Sequence, residues 1–135
     1  MKVDVKLFKP KHAIIFGEAP FDVSIHIFLQ AFIHEDELIE TTIRLDGVEL
    51  PSTQLKDLVN TSFSFEEGEI DGSMYLDNVH CPVDVSDFKF NLSRNGELNI
   101  LLKGKFDFES VGIECDSKTD FVVNTQLSSC TVSEN

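Results

Sequence analysis

The groups in this chain that can do chemistry are three cysteines, four histidines and 24 carboxylates. His80-Cys81, joined by Cys115, Cys130 or His34, would supply soft ligands to a metal. His80 and Cys81 are adjacent, however, and no CxxC or HxxxH spacing sets two ligands on one side of a turn or helix. The pair reads as a turn histidine beside a core cysteine before Pro82, and no metal or cofactor is expected. Glu66, Glu67, Glu69 and Asp71 around Gly68 crowd many oxygens into a short loop. The D-x-[DN]-x-[DN]-G order of a calcium loop is absent, so a solvated hairpin tip is preferred and calcium is the secondary reading. Paired carboxylates for glycoside hydrolysis are compatible with so many acids. Sugar sites favour aromatic platforms, though, and the chain has no Trp and a single Tyr, Tyr75. Nucleophile signatures such as GxSxG and glycine-rich phosphate loops are missing. The two arginines, Arg44 and Arg94, both flank glycine turns. A bidentate clamp for phosphate or carboxylate is therefore poorly supplied, and the chain reads as a non-enzyme.

The carboxylates matter more as a surface. With 11 basic and 24 acidic residues the net charge is -13, against about 2 to 8 in magnitude for a soluble small domain. Lys2, Lys6, Lys9 and Lys11 sit in the first eleven residues, so the remainder is more acidic still. This sign excludes a general nucleic-acid binder and opposes an anionic membrane. It steers a partner of opposite charge and speeds encounter. The acids cluster at Glu35-Asp36-Glu37 with Glu40, at Glu66-Glu67-Glu69-Asp71, and at Asp107, Glu109, Glu114, Asp116 and Asp120. An odd cysteine count with no secretion signal points to reduced thiols in the cytoplasm. Asp4 interrupts any basic leader, and the apolar run Ala13 to Phe16 is too short for one.

The elements that carry these groups are strands. The length of 135 residues suits one domain,. Period-two alternation runs through Val3-Val5-Leu7, Phe21-Val23-Ile25-Ile27, Ile39-Thr41-Ile43-Leu45, Phe63-Phe65, Phe88-Phe90-Leu92, Leu98-Ile100-Leu102 and Phe106-Phe108. It predicts a mainly β fold, an antiparallel sandwich or barrel of about 8–10 short strands. Asp46-Gly47 predicts a two-residue hairpin setting Leu45 against Val48 and Arg44 in an ion pair with Glu49. Arg94-Asn95-Gly96 predicts a three-residue loop, because only that register faces Leu92 with Leu98, Phe90 with Ile100 and Phe88 with Leu102. Glu67-Gly68 predicts a hairpin placing Phe65 opposite Ile70 and Phe63 opposite Gly72. A further hairpin turns at His34 to Glu37 and returns through Ile39 to Leu45. Ser52 caps a run in which Leu55, Leu58 and Val59 share a face, predicting one short helix near residues 52–59. A helix over residues 25–33 is the alternative for that segment and would make the fold α+β. β-Branched Val23, Ile25 and Ile27 favour strand. Residues 128–135 read as a loose tail.

In size, acidic charge, absence of a secretion signal and absence of catalytic motifs, the whole chain resembles the small immunity proteins of bacterial toxin systems, including those of contact-dependent growth inhibition. The resemblance implies an inhibitor that neutralises a basic toxin domain, commonly a nuclease, by covering or filling its active cleft with carboxylates. Glu35, Asp36 and Glu37 are the first expected contact residues, and Glu66, Glu67, Glu69 and Asp71 the second. The alternatives are an intracellular lipid-like carrier built as a β-barrel and a cytosolic adaptor or chaperone acting by strand addition.

Overall fold

The alternation folds into strands because successive side chains of an extended chain point to opposite faces. A computed structural model describes residues 2–115 and 118–129. Its strands are β1 (Lys2–Val3), β2 (Pro10–Glu18), β3 (Asp22–Leu29), β4 (Phe32–His34), β5 (Glu37–Ile39), β6 (Thr42–Val48), β7 (Ser62–Ser64), β8 (Asp71–Leu76), β9 (Val79–Leu92), β10 (Leu98–Phe106), β11 (Glu114–Cys115) and β12 (Asp120–Ser129). Seven of them close a barrel in the order β10-β12-β2-β3-β6-β8-β9, with β9 returning to β10. Neighbours run antiparallel except β12 and β2, which pair in parallel at Leu127–Ala13, Ser128–Ile14 and Ser129–Ile15. Closure removes the open edges that a sandwich would have to protect. β7 lies along β9 beyond the end of β8, with Phe63 opposite Phe88. β4 and β5 form a separate two-stranded arm between β3 and β6.

Side chains fill the interior. Ile25 and Ile27 of β3, Ile43 and Leu45 of β6, Met74 of β8 and Ile100 and Leu102 of β10 are fully buried. Each such aliphatic or Phe side chain contributes about 1.5–3 kcal/mol on burial. One end is sealed by rings: Phe106 stacks on Phe121 at 4.4 Å and on Phe108 at 5.1 Å. Phe8 meets Phe106 edge-on at 5.2 Å. The long β9 pairs with β8 and β7 along one edge and with β10 along the other, where it carries a bulge. Lys103 faces Asp87 but Gly104 faces Val85, leaving Ser86 as the extra residue. A one-residue insertion flips the face that later side chains present. Cys81, Val83 and Val85 accordingly point inward before the bulge, and Phe88 and Phe90 after it. Gly104 permits the approach, since a Cβ there would lie 2.4 Å from the Asp84 carbonyl oxygen.

Several sequence expectations hold. The Arg94-Asn95-Gly96 loop has the expected register, Leu92–Leu98, Phe90–Ile100 and Phe88–Leu102, with Gly96 at φ 84°. His34 pairs with Glu37 across the arm's turn. Residues 25–29 are strand, and residues 32–34 are strand again, so the helical alternative over 25–33 is excluded.

Others are corrected. Asp46-Gly47 closes no hairpin, because β6 runs straight through it. Val23 pairs with Val48 and Ile25 with Leu45, so Asp46 and Gly47 (φ 64°) together face Ser24 as a bulge. The same residue pair that suits a tight turn suits a bulge with glycine in the left-handed region. Continuing the strand lets β6 pair on both sides, and Arg44 lies between His26 and Ser73 rather than against Glu49. Glu67-Gly68 does turn, but Phe63 belongs to β9's flank and Gly72 faces Val83, so no hairpin joins them. The helix expected at 52–59 is a single 3-10 turn, Leu55–Asp57. Ser52 Oγ does accept from the Gln54 N–H at 2.9 Å and donates to Asp57 at 2.8 Å. The run is too short to propagate an α-helix. The strand expected through Val3, Val5 and Leu7 stops at Val3. Val5–Leu7 is a 3-10 turn held by the Lys6 N–H donating to Asp4 Oδ1 at 3.0 Å. β12 extends through Ser129, so residues 128 and 129 are strand and only 130–135 of the expected tail lie outside the described residues.

Candidate functional site

The barrel register gathers carboxylates that the sequence keeps apart. On adjacent strands Asp46 lies opposite Asp71, Asp84 opposite Lys105, and Lys105 opposite Asp120. Asp46, Asp71 and Asp84 each follow a buried apolar residue, Leu45, Ile70 and Val83, so alternation turns them outward. The turn at residues 66–69 arches against β9. The Gly68 N–H donates to Asp84 Oδ1 at 3.0 Å, and the Glu66 N–H donates to Glu69 Oε1 at 2.9 Å. Asp46 is fixed by the Ser24 hydroxyl at 2.8 Å, with His26 Nε2 3.5 Å away.

The result is one groove of 780 Å³ across β6, β8, β9 and β10. Asp46, Glu67, Glu69, Asp71, Asp84, Asp107 and Glu109 line it, with Lys105 the single basic lining residue. Its floor is apolar: Ile70, Val83, Phe106 and Phe108. Lys105 Nζ stands 3.9 Å from Glu67 Oε2, and both side chains are largely exposed, so this contact is worth little. Asp46 and Asp71 face each other directly with like charge, an arrangement that costs stability. Among the described residues no three or more His, Cys, Asp or Glu side chains converge as a metal site. The seven carboxylates are spread along β6, β8, β9 and the loops that border them. Such a surface suits several cationic groups at once.

Of the expected contact residues, Glu67, Glu69 and Asp71 line the groove and Glu66 does not. Glu35, Asp36 and Glu37 are elsewhere, at the tip of the β4–β5 arm, where Glu35 and Asp36 take φ of 51° and 67°. His34 Nε2 approaches Glu35 Oε2 to 3.3 Å but outside hydrogen-bonding geometry. The structure thus does not bring the two sets together. From the third acidic cluster, Asp107 and Glu109 join the groove, Asp120 lies across from Lys105, Glu114 is on β11, and Asp116 is outside the described residues.

Asp46 and Asp84 were missed because neither belongs to a run of acids. The available signal was the outward parity of Val83-Asp84-Val85. Cys81 faces the core and His80 the solvent, as alternation along β9 requires. Burial pushes the Cys81 thiol above the ordinary range, because the thiolate would be desolvated,. Cys115 is half-buried on β11, and Cys130 is outside the described residues. The chain matches no family model, no curated protein and no solved structure.

Proposed function

We propose that this protein is a cytoplasmic inhibitor of the bacterial immunity type, not an enzyme, that captures a basic toxin domain such as a nuclease. One observation carries this: seven carboxylates and one lysine line a single open groove. A nuclease cleft is lined with Lys and Arg because it holds phosphates. Carboxylates spaced along a groove meet such a cleft as phosphates do, and exclude the substrate by occupying it. Nucleic acid itself is repelled by the same charge. The like-charged Asp46–Asp71 pair gains from a cation placed between its members, which relieves repulsion only in the complex. Side chains such as Phe88, Phe90 and Met74 are buried in the barrel interior, which favours capture at the surface over a lipid-like carrier.

The test is to purify the basic protein captured from the native host and measure association rates at rising salt. The Debye length falls from about 10 Å at 0.1 M to about 3 Å at 1 M, so a steered association slows steeply. Capture of neutral or acidic proteins only, or a salt-independent rate, refutes the proposal.

A further inference from the structure

The β4–β5 arm presents an outward face on which two large aliphatic side chains lie exposed. Phe32 and Ile39, paired across it, face the barrel and pack against the core, Phe32 meeting Phe8 edge-on at 5.5 Å. Their neighbours Ile33 and Leu38, also paired, point the other way and are each 63% exposed. A two-stranded ribbon is marginal in water by itself, and the inner face, Phe32 and Ile39, holds this one to the barrel while the two aliphatic side chains of its outer face do not. Single exposed apolar residues are ordinary, but a directly paired set on a projecting element is what a partner's surface covers.

The charge at the arm's free end says which partner. Glu35, Asp36, Glu37 and Glu40 border the pair there, and the nearby Lys9 is at the arm's root, where its carbonyl accepts the Gln30 N–H at 2.7 Å. A second copy of this chain would bring identical carboxylates face to face, and an anionic membrane would repel them. The arm's root is also close to the groove. Phe8 touches Phe32 at its arm side and Phe108, a groove residue, at 6.2 Å.

We infer that the arm is a second contact for the basic protein held by the groove, with Ile33 and Leu38 seated on an apolar patch bordered by Lys and Arg. This rests on the capture of a basic protein proposed above. The groove supplies steering, and the arm supplies selectivity between cationic proteins, which charge alone does not give.

Two labelled peptides test it: octalysine, and the same octalysine interrupted by Leu-Phe-Leu. Affinities are read by fluorescence anisotropy at low salt. Wild type is expected to bind the interrupted peptide roughly tenfold more tightly, the scale of covering two part-exposed aliphatic side chains. The Ile33→Ser, Leu38→Ser double variant, checked for native circular dichroism, is expected to bind both peptides equally. Equal binding by wild type, or a preference that survives in the double variant, overturns the arm's role and leaves capture by the groove standing. Failure of both peptides to bind wild type overturns both.

Discussion

Replacing Asp71 with Asn is expected to stabilise the free protein while weakening the proposed hold on a cationic partner. Asp71 and Asp46 are direct cross-strand neighbours. Directly opposed residues have Cβ atoms about 4.5–5.5 Å apart, and such pairs shift stability by about 0.2–1 kcal/mol. Asn keeps the shape and removes the charge. For a domain of this size that gain raises Tm by about 1–4 °C. Asp71 is the cleaner site to change, because Asp46 also accepts the Ser24 hydroxyl at 2.8 Å. Asp46→Asn exchanges a charge-assisted bond for a weaker one and offsets its own gain. Calorimetry on the two single variants and the double variant then isolates the pair. The coupling should be repulsive at 0.1 M salt and largely gone at 1 M, where the Debye length of about 3 Å is shorter than the separation. In a stopped-flow experiment with the captured partner, Asp71→Asn should slow association. Additive effects of Asp46→Asn and Asp71→Asn at low salt would refute the repulsive pair, and a lower Tm for Asp71→Asn would show that its carboxylate is held by an attraction instead.

Gly104→Ala must push its new Cβ out of the 2.4 Å contact with the Asp84 carbonyl; a loss of about 1–3 kcal/mol is expected from chemical denaturation, and an unchanged midpoint would contradict the described bulge. Gly96→Val, at φ 84° in an open loop, should cost about 1 kcal/mol or more through backbone strain alone. Because the folded Cys81 thiol titrates above its unfolded value, its contribution is complete below the unfolded value of about 8.5 and is lost as pH rises past it. Urea unfolding across this alkaline range should therefore show a decline that Cys81→Ala lessens, with an identical slope in both proteins counting against a buried thiol.

The parts of the fold written in local alternation were legible in the sequence, and those decided by distant pairing were not. Leu92 to Leu102 could be registered from the chain alone because only one loop length brings apolar faces together. Asp46-Gly47 could not, because a left-handed glycine serves a hairpin turn and a bulge equally. The choice lay with β3 and β8, whose residues occupy both flanks of β6. Phe63 and Phe65 likewise read as half of a local hairpin, while their partner strand, β9, begins only at Val79, beyond β8. The same reason hid the groove. Glu67, Glu69 and Asp71 were visible as a run, but Asp46 and Asp84 reach them only through the barrel's register.

The parallel seam between β12 and β2 makes this a circle closed by the two barrel strands farthest apart in sequence. During synthesis β2 emerges first and waits, one flank unpaired, until every other barrel strand has been made. No chain that stops short of β12 has a complete barrel, so β2 keeps an open edge until β12 is made,. Its strong negative charge is then useful before any partner arrives, since chains that repel one another seldom join edge to edge.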